Sequence, residues 1–329
     1  MKRKRFAWNT VFVLLPWLLP WLLLLLSLGL VCFQVERPIA LVSLGVPWAR
    51  VGALAIVMTA IILTGGIDLS VGSMMALSSM VMGLLWQAGW SAEAAAGVAV
   101  LVGLAAGGAN GGLVVLGLSP LVATLATMAF YSGLAMMLCG GEKITKLPSP
   151  AVDMSQFAGW PSEYWILGFV FAISLLIVHG TRFGRWCYAI GDNPIAARFS
   201  AVPVQRTQWW LYMASGLVAG LLAVTYTVRK GAIPNAHQGI ELEAIACVVV
   251  GGTLITGGRG GILQTLLGIL VVANIDIGLV FLSGGFKFIG ADARLMVVGV
   301  LLIVVAVWNE WMARAAARLE TLNKATERT

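Results

Sequence analysis

From Ala94 to Gly141 the chain carries no Asp, Glu, Lys or Arg. A helix crosses the roughly 30 Å hydrocarbon core of a bilayer with about 20 apolar residues, so this stretch is too long for one crossing and long enough for two. Gly117-Leu118-Ser119-Pro120 supplies the turn between them. The same pattern fills the chain. Of its 329 residues 60% are hydrophobic and 11% charged, where a soluble domain has roughly 25% charged. That is about 197 apolar residues, enough for about ten spans. This balance excludes a soluble globular protein, a disordered chain and a secreted disulfide scaffold. No polar block is long enough to fold as a separate soluble enzyme.

Charge-free apolar stretches place ten spans at 11–33, 48–66, 69–90, 94–116, 120–139, 164–181, 208–228, 241–256, 262–283 and 293–312. The fold class is therefore all-α: one polytopic transmembrane helix bundle making up a single domain over 1–329. The net charge of +7 supports the count. Lys2, Arg3, Lys4 and Arg5 open the chain, Arg182, Arg185, Arg198 and Arg206 share one interior loop, and Arg314, Arg318, Lys324 and Arg328 lie in the tail. Basic residues concentrate in cytoplasmic loops. Six spans before the loop at about 182–207 and ten before the tail put all three segments, and hence both termini, on the cytoplasmic side. Trp8, Trp48, Trp86, Trp90, Trp160, Trp165, Trp186, Trp209, Trp210, Trp308 and Trp311 fall near proposed span ends, where indole prefers the headgroup region.

The basic start followed by Phe6 to Val35 without charge imitates a signal peptide. It exceeds a signal core of about 7–15 residues and reads as a retained first helix. Cys32, Cys139, Cys187 and Cys247 are scattered without metal or redox spacing and read as small packing residues. The 39 glycines are about 12% of the chain against a usual 7%. Gly103-xxx-Gly107, Gly107-xxx-Gly111 and Gly216-xxx-Gly220 suit close helix packing. A weak internal repeat sets the glycine tract Gly65–Ser73 against Gly251–Gly261, and repeats are common in transporters. There is no P-loop lysine, no HExxH and no GxSxG, and His179 and His237 lie far apart. Catalysis and a bound metal have nothing to build on.

Three segments could carry function. In Gly65–Ser73 (GGIDLSVGS), Asp68 sits between two apolar runs. A carboxylate at membrane depth costs about 2.5–3.5 kcal/mol on insertion scales. Asp68 or Ser70 either caps the helix that follows or belongs to a broken-helix element lining a polar pathway, with Ser73 beside it. Asp192-Asn193-Pro194 opens a short helix of about two turns in the basic loop, since Asn193 can cap it and Pro194 fits its first position. It is either a membrane-surface helix or a docking helix, whose docking candidates are Asn193, Pro194, Ala196, Ala197, Arg198 and Ser200. Glu241 and Glu243, at the start of the eighth span, cap its helix or line the pathway mouth. Asn110, Thr124, Thr127, Asn274 and Asp276 lie within apolar runs and need partners inside the bundle.

Taken in order, TGGIDLSVGS (Thr64–Ser73), GGANGGLVVLGLSPLVATLATM (Gly107–Met128), AIGDNPIAARFSAVPV (Ala189–Val204) and ELEAIACVVVGGTLITGGRGG (Glu241–Gly261) resemble the permease subunits of ATP-binding-cassette (ABC) sugar importers of the ribose/xylose/galactoside type. That family also includes autoinducer-2 importer permeases. The resemblance runs from about residue 40 to 310. It implies ten helices, a second permease chain (identical or sister), two cytoplasmic ATPase subunits and a periplasmic sugar-binding protein, with Asn193–Ser200 as the contact to the ATPase. Ile195 stands where the family commonly has an acidic residue, Glu243 where it has Asp, Ser132 where it has Arg, and Asp276-Ile277-Gly278 where it has Asn-Gly.

The expected function is import of a monosaccharide or similar polyhydroxylated solute across a bacterial inner membrane. No cofactor is expected in this chain, ATP acts on the partner subunit, and nucleic acid plays no part. Asp68, Ser70, Ser73, Asn110, Thr124, Glu241, Glu243, Asn274 and Asp276 are the pathway candidates. The alternatives are an ion-coupled secondary transporter using Asp68, Glu241 and Asp276, and a non-transporting membrane scaffold.

Overall fold

The computed structural model describes residues 38–145, 147 and 153–283, and beyond them Met296, Gly299, Val300, Ile303, Val304 and Val307. The first expected span, 11–33, lies outside these residues, and of 293–312 only those six separate positions are described. Along the described chain run α1 (Pro38–Leu63), α2 (Val71–Gln87), α3 (Ala92–Val115), α4 (Pro120–Leu138), α5 (Ser162–Gly180), α6 (Arg182–Asp192), α7 (Pro194–Phe199), α8 (Val204–Lys230), α9 (Ile240–Val250) and α10 (Ile262–Ser283). Each expected span between 48 and 283 overlaps one of these helices. Among the described residues six helices are long and apolar enough to cross a membrane. The arrangement is that of a polytopic helical membrane protein.

Local sequence sets the helix ends. Ser91, extended at φ −62° and ψ 148°, accepts a hydrogen bond from the Ala94 amide and starts α3. Pro120 occupies the first turn of α4. α9 has 11 residues, about 16 Å at the usual rise and half a hydrocarbon core. The sequence places a longer span here, 241–256. The helix stops at Val250 because the glycine tract leaves the helical region, with Gly252 at φ +98°.

α1 runs through the middle of the bundle, packed against α5, α8, α9 and α10. Its residues from Ala53 to Leu63 are almost wholly buried. α3 and α8 make the closest helix pair. A β-carbon on Gly107 would lie 2.9 Å from Gly216 Cα, and one on Gly103 2.8 Å from Gly220 Cα. The small-residue spacing seen in the sequence thus lets two backbones touch. Hydroxyl pairs join other helices: Thr59 with Thr265 at 2.6 Å and Ser79 with Thr227 at 2.7 Å. α4 and α5 turn large apolar side chains outward, among them Phe130, Phe169 and Leu176. Such faces suit a lipid surrounding.

A two-stranded hairpin precedes α5. β1 (Gln156–Phe157) pairs antiparallel with β2 (Trp160–Pro161). Ala158 and Gly159, at φ 51° and 78°, form the two-residue turn that such hairpins favour. Trp165 Nε1 donates to Phe157 O at 2.9 Å and ties the hairpin to α5. Of the cysteines, Cys187 and Cys247 are fully buried, while Cys32 lies outside the described residues.

Candidate functional site

The chain between α1 and α2 is unwound from Thr64 to Ser70, and Asp68 lies inside it with no exposed surface. One carboxylate oxygen, Oδ1, accepts from Ser70 N at 3.0 Å and Ser70 Oγ at 2.7 Å. The other, Oδ2, accepts from Ser215 Oγ at 2.9 Å. Neither Asp68 nor Ser70 caps α2 with its side chain. Instead the break is tied to its neighbours. Asn110 Nδ2 of α3 donates to Ser70 Oγ at 2.6 Å, and Tyr131 OH of α4 shares its proton between Ala106 O at 3.0 Å and Asn110 Oδ1 at 3.3 Å. Thr124 Oγ1 shares its proton between Pro120 O of its own helix at 2.9 Å and Ile67 O at 3.2 Å, and Tyr212 OH of α8 donates to Ile67 O at 3.4 Å. A backbone that has left the helix needs such partners, because no water is available at membrane depth. Four pathway candidates, Asp68, Ser70, Asn110 and Thr124, are therefore joined in one enclosed polar knot. Ser215, Tyr131 and Tyr212 complete it, and spacing alone does not point to them.

The two glycine tracts meet. Gly258 N donates to Leu63 O at 3.0 Å, so the second tract satisfies the carboxyl end of α1. A β-carbon on Gly65, which has φ +77°, would lie 3.6 Å from Thr256 O. Gly191, near the end of α6, packs against both Leu63 and Gly258.

Beside the knot is a pocket of about 170 Å³ formed by the start of α2, one face of α4 and the turn leading into α9. Ser73 and Glu241 line it, with Ser132, His237 and Gln238. Ser73 Oγ donates to Ser70 O at 2.8 Å and so links pocket to knot. Glu241 Oε1 accepts from Gly239 N at 3.1 Å, holding the entry to α9. Gly72 lets α2 approach this entry, since a β-carbon there would lie 2.7 Å from Glu241 Oε2 and 3.0 Å from Ile240.

The other candidates lie apart. Asp276 Oδ2 accepts from Trp48 Nε1 at 3.0 Å. Glu243 is within electrostatic reach of Asp276, Glu241 and Arg50. The Asn274 amide donates to Leu270 O of its own helix at 2.7 Å, and Thr127 Oγ1 bonds within α4. A charged group absent from the sequence candidates is Arg50, stacked 4.9 Å from the Tyr226 ring, with His237 edge-on to the same ring at 4.4 Å. Glu163, 1% exposed, pairs with Arg229 at 3.0 Å. The rule that singles out Asp68, a charge inside an apolar run, also applies to Arg50.

The basic loop folds as α6 and α7. Asn193 Oδ1 accepts from Ile195 N and Ala196 N, each at 3.0 Å, and Pro194 takes the first helical position. Ala197 turns inward onto Ile190 and Val204. It anchors the helix instead of presenting a surface. Pro194, Ala196, Arg198 and Ser200 face outward with Asn193. So do Ile195, 68% exposed, and Phe199, 89% exposed, which the spacing does not single out.

A mostly helical bundle with membrane-length helices, a sealed break between two of them, a half-length helix close to that break and a short amphipathic helix pair is the arrangement of a membrane transport protein. The chain belongs to the family described as the branched-chain amino acid transport system / permease component, which matches residues 45–306. It is 34% identical to the ribose import permease protein RbsC of Escherichia coli K12, covering 77% of this chain and 80% of that one. It is 36% identical to the RbsC of Bacillus subtilis 168, over 77% and 79%. It is 35% identical to the autoinducer 2 import system permease protein LsrD of Yersinia enterocolitica, over 78% and 79%. No solved structure matches the chain. These are import permeases of the ABC kind that the motifs resemble, and the ion-coupled alternative falls away.

Proposed function

We propose that this chain is the membrane-spanning subunit of an ABC importer for a monosaccharide or similar small polyhydroxylated solute in a bacterial inner membrane. The observation that carries the reading is its similarity, over 77–78% of its length, to import permeases named for ribose and autoinducer 2. In this reading the subunit has ten spans and cytoplasmic termini. It works beside a second permease chain, two ATPase subunits that bind and hydrolyse ATP, and a periplasmic binding protein. It hydrolyses nothing and holds no cofactor itself.

α7 is the ATPase docking helix. Its exposed Ile195 and Phe199 flank Arg198 and offer an apolar contact with one charge. The helix is rooted through Ala197 on Ile190 of α6. Gly191, in the last turn of α6, packs against the carboxyl end of α1 and the second glycine tract. A push on α7 therefore reaches both helix breaks through packed backbone. Ser73 and Glu241 meet the solute, and the knot of Asp68, Ser70, Asn110 and Thr124 fixes the shape of the broken helix beside it. Glu243, Asn274 and Asp276 lie farther along the same route.

In cells expressing the full importer, uptake of labelled sugar should survive an uncoupler while ATP is held constant, and should stop when ATP is depleted. Uptake that collapses with the uncoupler alone would refute the assignment.

A further inference from the structure

Between α5 and α8, with Val57 and Ala60 of α1 beneath, lies a groove of about 620 Å³. Among its described lining residues only Ser174 and Thr181 bring hydroxyls, and Thr181 Oγ1 already donates to Ile177 O at 2.6 Å. A polyhydroxylated solute would leave its own hydroxyls unpaired against such a wall, so the groove is no part of the solute route. Its length is informative. Residues from Phe169 to Thr181 on α5 and from Trp210 to Leu221 on α8 line it. At 1.5 Å per residue those stretches run about 17–18 Å. That is close to one leaflet of a hydrocarbon core roughly 30 Å thick.

One end of the groove is basic. Thr181 and Phe183 line it, and Arg182 lies between them. Arg206 stands one helical turn before Trp210, which lines the same end, and residues four apart share a helix face. Both arginines are exposed, and among the described residues neither has a hydrogen-bond or ion-pair partner. From Thr181 to Trp210 the chain has Arg182, Arg185, Arg198 and Arg206 against a single acid, Asp192, at the far end of α6. α6 also opens with Arg182 and Arg185 and has no acidic residue in its first turn. A helix N-terminus carries about half a positive charge of its own, so these cations raise the local potential until an anion offsets it.

We propose that this groove binds an acidic phospholipid of the cytoplasmic leaflet, with an acyl chain between α5 and α8 and the head-group phosphate against Arg182 and Arg206. The choice of leaflet rests on the importer topology proposed above: Thr181 and Trp210 lie at its cytoplasmic end, where anionic lipids attract basic residues. A zwitterionic lipid offers the same chain, but its ammonium cancels the charge that the arginines recognise. Trp210, 53% exposed, stands at the mouth, and indole prefers the headgroup region. The site lies apart from the outward face of α7. It reaches the transport machinery through α6, whose first turn the head group braces and whose far end leads into α7.

The test uses the assembled importer in nanodiscs of phosphatidylcholine with a minor fraction of phosphatidylglycerol, two head groups on the same acyl chains. Native mass spectrometry should show phosphatidylglycerol retained on the permease in preference to phosphatidylcholine. In Arg182→Gln/Arg206→Gln that preference should fall about thirtyfold, from about 1 kcal/mol for each Arg beside anionic lipid and tenfold for each 1.4 kcal/mol. Arg182→Lys/Arg206→Lys should keep it. Both positions are exposed, so an unchanged Tm shows that the variants have folded. In a second measurement, p-benzoylphenylalanine at Leu217, in the groove wall, should photocrosslink to phospholipid. Equal retention of the two lipids, or a Gln variant that holds phosphatidylglycerol as the wild type does, would overturn the proposal. So would a crosslink from position 217 to a second permease chain or to residues 11–33, since protein would then fill the groove. These readouts need no solute to move, so they stand or fall separately from sugar uptake, which tests the importer reading.

Discussion

Replacing Asp68 tests whether the break between α1 and α2 is held by the polar knot. In Asp68→Ala three bonds to the carboxylate vanish: from Ser70 N, Ser70 Oγ and Ser215 Oγ. The Ser215 hydroxyl can rotate to a carbonyl of its own helix. Ser70 Oγ keeps its bond from the Asn110 amide. Among the described residues Ser70 N has no other acceptor, and an unsatisfied buried donor costs about 1–3 kcal/mol, with hydrogen bonds to charged groups at the upper end. Adding the lost hydroxyl bonds, Asp68→Ala should destabilise by about 2–5 kcal/mol. Asp68→Asn keeps an acceptor for Ser70 and turns an amide toward the Ser215 oxygen, so it should cost about 1 kcal/mol. At about 2–4 °C per kcal/mol, the scaling for domains of 150–250 residues, alanine should lower the Tm by on the order of 10 °C and asparagine by a few. Thermal unfolding of the detergent-solubilised protein, followed by tryptophan fluorescence, reads both. An alanine variant that melts with the wild type, or an asparagine variant that melts as early as alanine, would refute the knot.

Other outcomes follow from the same geometry. Gly107→Leu places a side chain against the Gly216 backbone; it should separate α3 from α8 and lower the Tm further than the 1–3 kcal/mol or so of ordinary overpacking, while Gly112→Leu, with open space at its β-carbon, should not. Phe199→Asp or Arg198→Glu should reduce co-purification of the ATPase without shifting the Tm, whereas Ala197→Asp should lower both, because Ala197 faces the packed side of α7. Burial pushes the Cys187 thiol up to about 12. At pH 8 it should resist maleimide in the folded protein and react on denaturation, while Cys139, which is partly exposed, labels first. Gly191→Val should uncouple ATP hydrolysis from uptake, since its β-carbon would meet Leu63 and Gly258.

Much of the helix pattern was legible in the sequence because hydropathy reports it directly. A charge-free run must be helical in lipid, and Gly117–Pro120 marks the turn within the longest one. The glycine spacing of α3 and α8 is also local information, and the two helices meet where it predicts. The length of α9 was not legible from charge-free runs, because no charge interrupts Val248 to Ile255 beyond the point where the backbone turns at Gly251-Gly252. The partners of Asp68 were only partly so. Asn110 and Thr124 stand out as polar residues in apolar runs, but Ser215 and Tyr131 lie 147 and 63 positions away along the chain, joined by packing alone. The outward face of α7 was half legible. Asn193 and Pro194 announce the helix, but a helix of 6 residues is too short for periodicity to show that Ala197 turns in while Ile195 and Phe199 turn out.

The most direct test of the importer assignment is solute movement measured together with ATP hydrolysis in proteoliposomes. The permease is reconstituted with its ATPase and a sugar-loaded binding protein, and then with each component left out in turn. Sugar accumulation that tracks ATP consumption and vanishes when any one component is missing is the predicted result. Accumulation by the permease alone, driven by a proton or sodium gradient, would contradict it.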